Sequence, residues 1–337
     1  MHLIVDGFGA FLGVKSERLQ VRQEGKVTQE IALCELEGVM VTGRGVSLSC
    51  DALRKCVEAG IPLSFVAFNG APYARLEAPG LAGTVQTRRA QLLAYEDGRG
   101  VALALAFSRG KLTNQANLLK YMAKYRQQVD SNAYRLAREA AAQIEALRTE
   151  ATALTAERVD DLRPALLNRE GRAAAIYWST IGSMLLSEEP WPGREHRGAT
   201  DPLNSALNYG YGILYSQVEH AAILAGLDPY AGFVHVDRPG KPSLVLDLIE
   251  EFRQPVVDRT VFGLVNKRVA LKIDDDGLLD ERTRKFLAEK VLARLDAPER
   301  HEGHQRPLRQ IVQAQARRVA AFLRGERPEY KPFISRW

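Results

Sequence analysis

Cysteine is scarce in this chain, three residues of 337, at Cys34, Cys50 and Cys56. Three cannot all pair and none stands in a Cys-x-x-Cys arrangement. A disulfide framework and a thiol redox motif are therefore excluded, and the three are expected as buried, reduced thiols. No apolar run approaches the roughly 20 residues that a membrane helix needs, and no signal peptide precedes the first strand. The expectation is a soluble, cytoplasmic protein. A Walker A loop, a Gly-x-Gly-x-x-Gly after a strand and a Gly-x-Ser-x-Gly are all missing, which removes most of the support for nucleotide-driven and serine-hydrolase chemistry.

What is present is 46% hydrophobic content, enough for one large or two ordinary cores, and a net charge of +5. A basic balance suits a nucleic-acid partner but also many proteins that have none. The charge is uneven. Residues 297–337 hold nine Lys/Arg against four Asp/Glu, and residues 98–129 hold six basic residues and no acidic one.

The pattern along the chain predicts an α+β protein, a small N-terminal β-rich domain with one helix followed by a larger all-α domain. From Met1 to Leu76, short alternating or β-branched segments (LIVDG, AFLGV, RLQVRQ, TQEIALCEL, GVMVTG, IPLSFVAF) alternate with turn residues. Only residues 47–59 have helical character there. Asp6 reads as a turn residue and Asp51 as a helix cap. Residues 77–85, with Pro79, Gly80 and Gly83, read as a hinge, and residues 86–337 as the helical domain. In it, Lys120 and Lys124 lie one turn apart, either as an ordinary exposed face or as a phosphate-contacting track. Residues 143–158 form an Ala-rich surface helix. The next helix, beginning at Arg163-Pro164, puts Glu170, Ala173, Ala174 and Tyr177 on one face. Glu170 is there either the edge of a tightly packed helix or a ligand with space around it, and Gly171 suggests a close approach. Residues 202–226 form a helix capped by Asp201, whose Asn204, Asn208 and tyrosines either knit helices together or face a substrate. Asp274, Asp275 and Asp276 precede Gly277 without a glutamate at EF-hand spacing, so they read as a turn. The tail EYKPFISRW mixes aromatic and basic residues, a composition that suits contact with nucleic acid or a partner.

The most informative stretch is GFVHVDRPGKPSLVLDLIEEFR, residues 232–253. Its helix is expected from about Pro242 to Pro255, with Leu244, Val245, Leu248, Ile249 and Phe252 as an apolar stripe. Asp247 and Glu250 lie side by side on the opposite face. Two readings stand. These acids, with Glu251, are the solvated side of an amphipathic helix. Alternatively, with His235 held in the preceding loop, they form part of an oxygen and nitrogen site for Mg²⁺ or Mn²⁺, which would need a further carboxylate.

Four blocks in order, VMVTGRGVSLSCDALRKCVEAGIPLSFVAFNG, NREGRAAAIYW, DPLNSALNYGYGIL and GFVHVDRPGKPSLVLDLIEEFR, closely resemble the CRISPR-associated protein 1 (Cas1) family. The resemblance implies a metal-dependent DNA integrase of CRISPR adaptation. Such an enzyme joins the 3′-hydroxyl ends of short double-stranded DNA (the prespacer) into the CRISPR repeat by transesterification, as a homodimer in complex with Cas2. It also implies the ligand set: Glu170 in the NRE block, His235 in GFVH, and Glu250 in DLIEE, where other members carry aspartate. Asp247, Asn208 and Arg253 would be auxiliary, and Arg88, Arg89, Lys111, Lys120 and Lys124 would contact DNA. An alternative is a metal-dependent endonuclease or branched-DNA resolving enzyme with water as nucleophile. A non-catalytic DNA scaffold is a third possibility.

Overall fold

A computed structural model describes residues 1–76, 85–186, 191–195, 198–274 and 277–336. The expected hinge, with Pro79, Gly80 and Gly83, lies outside these residues except for Val85, as do Asp275 and Asp276. As expected, a strand-rich beginning is followed by a mostly helical remainder.

The first part runs β1 (His2–Val5), β2 (Phe11–Lys15), β3 (Arg18–Gln23), β4 (Lys26–Ala32), β5 (Gly38–Val41), β6 (Ser47–Leu48), α1 (Cys50–Glu58), β7 (Leu63–Val66) and β8 (Pro72–Leu76). One sheet has the order β1-β5-β7-β8 and the other β4-β3-β2-β6. In the first sheet β1, β5 and β7 are parallel, and β5 is buried along its whole length, so it reads as a continuous apolar run. Leu3, Val5, Val39 and Val41 share one core with Leu12, Leu19 and Val21 of the other sheet and with Ala52 and Cys56 of α1.

Two expectations are corrected here. The cap of α1 is Ser49, whose side chain accepts from the Ala52 N–H at 3.1 Å, because the helix begins one residue before Asp51. Asp51 instead lies in the first turn, where its charge suits the helix dipole. Of the cysteines only Cys56 is buried, and burial pushes its thiol up to about 11; Cys34 and Cys50 are exposed.

The helical part runs α2 (Val85–Ala94), α3 (Gly98–Lys124), α4 (Ser131–Thr152), α5 (Val159–Met184), α6 (Pro202–Leu224), α7 (Ser243–Leu248), α8 (Arg259–Asn266), α9 (Glu281–Asp296), β9 (Pro298–His301), β10 (His304–Pro307) and α10 (Leu308–Leu323). The β9–β10 hairpin interrupts the all-helical expectation; it turns at Glu302 and Gly303, both with positive φ. The chain divides into two compact units. One comprises Met1–Leu81, His196–Ser216 and Leu271–Ala293; the other comprises Ala82–Glu195, Gln217–Ala270 and Arg294–Trp337.

Within the second unit α3 is the centre, 27 residues long and capped by Asp97, with α4 and α5 packed on it. α4 is not merely a surface helix, since Ala137, Ala140, Ala141, Ile144 and Leu147 are buried. α5 begins at Val159, a turn before Pro164. Gly171 is exposed, and a Cβ there would meet nothing within 4 Å, so no close approach explains it. Among the described residues no helix is long and apolar enough to cross a membrane.

Candidate metal centre

Three elements of the second unit converge, α3, α5 and the segment that begins at the 232–235 loop. The stripe predicted for that segment is real, with Leu244, Val245, Leu248, Ile249 and Phe252 all at most 1% exposed. The opposite face, however, is not solvated. Asp247 and Glu251 are 0% exposed and Glu250 8%, which overturns the amphipathic reading.

Nor does the helix stop at Pro255. After α7 the chain tightens into a 3₁₀ turn, Ile249–Glu251, then widens into a π turn, Arg253–Asp258, and continues as α8. Proline has no N–H to give the carbonyl four residues back, here that of Glu251. Asn114 of α3 supplies the missing donor, its Nδ2 lying 2.8 Å from that oxygen. The irregular turn thus passes through the site, a place where such bulges recur.

Asp247 organises the loop before α7. Its carboxylate accepts the N–H groups of Phe233 at 2.6 Å, Val234 at 3.0 Å and His235 at 2.9 Å, and the His235 Nδ1 at 2.7 Å. A carboxylate only accepts, so Nδ1 carries the proton and Nε2 is the nitrogen left for a ligand. Gly232 lets the loop lie against α7, since a Cβ there would fall 2.5 Å from the Ser243 carbonyl carbon. From the other side Arg163 of α5 donates to the carbonyls of Val234 (3.0 Å) and Phe233 (3.2 Å). The loop is gripped by its donors and its acceptors alike. In the sequence Arg163 reads only as a helix start; its place one turn into an acidic helix start is the available signal.

Glu170, 6% exposed on α5, accepts from the Lys111 Nζ at 2.7 Å, and the same ammonium lies 3.5 Å from Glu250 Oε2. Arg253 Nε stands 3.4 Å from the other Glu250 oxygen. Burial alone would raise the Glu250 carboxyl, but Arg253, Lys111 and His235 outweigh it and hold the group down at about 2. Burial likewise works against the charge on Lys111, yet Glu170 and Glu250 raise it above the ordinary lysine range.

These donors suit a divalent cation. Two buried carboxylates already converge on one positive charge, and the imidazole is fixed by a carboxylate behind it. The ligand atoms of Glu170, His235 and Glu250 do not all lie within 4.8 Å of one another, and the lysine ammonium stands between the two acids.

The residues expected to contact DNA separate. Arg88 and Arg89 are exposed on α2 and Lys124 near the end of α3, whereas Lys120 is half-buried and paired with Glu145. Lys111 belongs to the buried centre, not to an exposed track. Asn208 falls in the first unit. The tail is a further correction. Tyr330, Phe333 and Ser335 are buried, with the Tyr330 hydroxyl and the Phe333 N–H both bonded to Glu251. A Cβ on Gly110 of α3 would lie 2.9 Å from Pro332, so the helix is notched to receive the tail.

The family model described as CRISPR associated protein Cas1 matches residues 3–292. The chain is 38% identical to the CRISPR-associated endonuclease Cas1 1 of Archaeoglobus fulgidus over 100% of both chains. Its fold is similar to that of a casposase bound to integration product, with a TM-score of 0.80 at 20% identity over 98% of this chain and 92% of that one. It is also similar to a chain of a Cas6-RT-Cas1–Cas2 complex, with a TM-score of 0.76 at 20% identity over 99% of this chain and 36% of that one.

Proposed function

The chain belongs to the Cas1 family, and from that premise we propose that it is a divalent-metal-dependent DNA endonuclease and integrase that joins 3′-hydroxyl ends of short duplexes to a CRISPR repeat. The observation that carries this reading is the buried convergence of Glu170 and Glu250 beside a histidine whose Nδ1 is held by Asp247.

Glu170, Glu250 and the His235 Nε2 would hold Mg²⁺ or Mn²⁺. The ion would supply charge neutralisation at the reacting phosphate and a lower pKa for the attacking hydroxyl. The chain's own groups do the rest. Asp247 and Arg163 fix the histidine loop from both sides and Asp247 holds Nδ1, which lowers the ordering cost of the imidazole on substrate arrival. Arg253, beside Glu250, offers a guanidinium to a non-bridging phosphate oxygen. One phosphodiester bond forms as another breaks, with the displaced 3′-oxygen leaving as a hydroxyl, so joining needs no nucleotide hydrolysis. This agrees with the missing Walker A loop. The exposed Arg88, Arg89 and Lys124 would contact phosphates without regard to base sequence. The partners that follow are double-stranded DNA, Cas2 and a second copy of the chain.

The test combines the protein, Mn²⁺, a duplex with free 3′-hydroxyls and a supercoiled plasmid carrying the repeat. Covalently joined plasmid supports integration, and nicked or linear plasmid without joining supports the hydrolytic alternative. Joining at the wild-type rate by Glu170→Ala would remove Glu170 from the site.

A further inference from the structure

We infer that Lys111 is an exchangeable counter-ion: its ammonium holds Glu170 and Glu250 together without a divalent cation, gives up that place when one binds, and passes to a phosphate of the bound DNA. The inference rests on the metal reading above and adds to it an order and a coupling of binding events.

The geometry places one charge where another is expected. Lys111 Nζ lies 2.7 Å from Glu170 and 3.5 Å from Glu250, and the side chains are 16%, 7% and 10% exposed, respectively. Two buried carboxylates this close would repel strongly in a poorly solvated site unless one took up a proton or a cation stood between them, and the Lys111 ammonium is that cation here. A dication taking both carboxylates would then face an ammonium at contact distance. The two positive charges repel each other, so the two cations compete for one place.

Lysine can vacate it. Its charge sits at the end of a flexible four-carbon stem, so the head can swing away while the stem stays packed on α3. An ammonium taken from its carboxylates in a site this enclosed needs another anion, and a DNA phosphate arriving at the centre supplies one. Metal binding and DNA binding therefore assist each other, and such a coupling is reciprocal by linkage. Arg253 is less suited to the exchange, since its contact to Glu250 leaves Glu170 to Lys111.

The test is calorimetric titration of Mn²⁺ into the chelator-treated full chain, alone and with a saturating duplex whose 3′ ends are dideoxy and cannot react. The wild type is compared with Lys111→Met, Lys111→Gln, Lys111→Arg and Glu170→Gln. The inference expects the duplex to tighten Mn²⁺ binding by the wild type by about fivefold or more. It expects Lys111→Met and Lys111→Gln to bind Mn²⁺ alone at least about fivefold tighter than wild type, with no further gain from the duplex, and Lys111→Arg to stay near wild type. The duplex effect is read on the unaltered protein, so it stands even if a variant fails to fold. If Glu170→Gln abolishes Mn²⁺ binding while the neutral Lys111 variants bind it no tighter than wild type, the exchange is wrong and the metal reading survives. If neither the wild type nor the neutral variants bind Mn²⁺, both fail.

Discussion

Asn114 Nδ2 lies 2.8 Å from the Glu251 carbonyl oxygen, the acceptor that Pro255 leaves without a helical donor. The same amide donates to the Phe333 carbonyl at 3.0 Å and accepts the Ser335 N–H at 2.9 Å. One side chain thus ties α3, the turn after Glu250 and the C-terminal tail. Asn114→Ala leaves three buried backbone groups unpaired, each worth about 1–3 kcal/mol, so the expected loss is about 3 kcal/mol or more. Urea denaturation measures it, and a loss under about 1 kcal/mol would show that the tie is unimportant.

Glu251 predicts a pH dependence. Burial pushes its carboxyl from 4.5 up to about 7, against the pull of the Tyr330 hydroxyl, the Phe333 N–H and the Gln315 amide. The folded chain therefore keeps a proton between these values that the unfolded chain has lost. The stability it provides is whole below about pH 4.5 and is lost as the pH rises through about 7, an effect on the order of 3 kcal/mol. Metal-free thermal melts are expected to show Tm falling from pH 5 to 7.5 in the wild type and a flatter profile in Glu251→Gln. Equal slopes would contradict the assignment.

Arg88 and Arg89 are the exposed pair on α2. If both contact phosphates, the double alanine variant lowers affinity for duplexes of any sequence and reduces the slope of log K against log salt by about 2. Fluorescence anisotropy at several salt concentrations reads both quantities. An unchanged slope would remove the two arginines from the interface.

Much of the fold was legible because its signals are local. Period-two runs marked the strands, and the apolar stripe from Leu244 to Phe252 is buried as its spacing required. Asp201 caps α6 as its place before Pro202 implied, accepting from the Asn204 N–H at 2.9 Å. The β9–β10 hairpin was missed because PERH and HQRP carry little apolar pattern, although Glu302-Gly303 is a turn signal.

What periodicity could not reveal is tertiary. The acids after Leu246 looked solvated because their partners come from elsewhere in the chain: Lys111 and Asn114 from α3, and Gln315, Tyr330 and Phe333 from the end of the chain. Pro255 would have ended the helix had no remote amide taken the freed carbonyl. The tail reads as a contact surface for nucleic acid or a partner because its buried groups, Tyr330, Phe333 and Ser335, are spaced among charged and exposed ones; in the fold the Phe333 ring stacks on Phe252 at 5.3 Å. The resemblance named Glu170, His235 and Glu250, but not Arg163, which holds the histidine loop by its carbonyls.

The central claim is that Glu170, His235 and Glu250 hold one divalent cation. Anomalous diffraction at the manganese edge, from crystals of the chain grown with Mn²⁺, tests it most directly. The expected result is a single strong peak within coordination distance of Glu170, Glu250 and the His235 Nε2, and the exchange inferred for Lys111 adds that its ammonium is withdrawn from both carboxylates. A peak elsewhere, or no peak at these three side chains at saturating Mn²⁺, would contradict it.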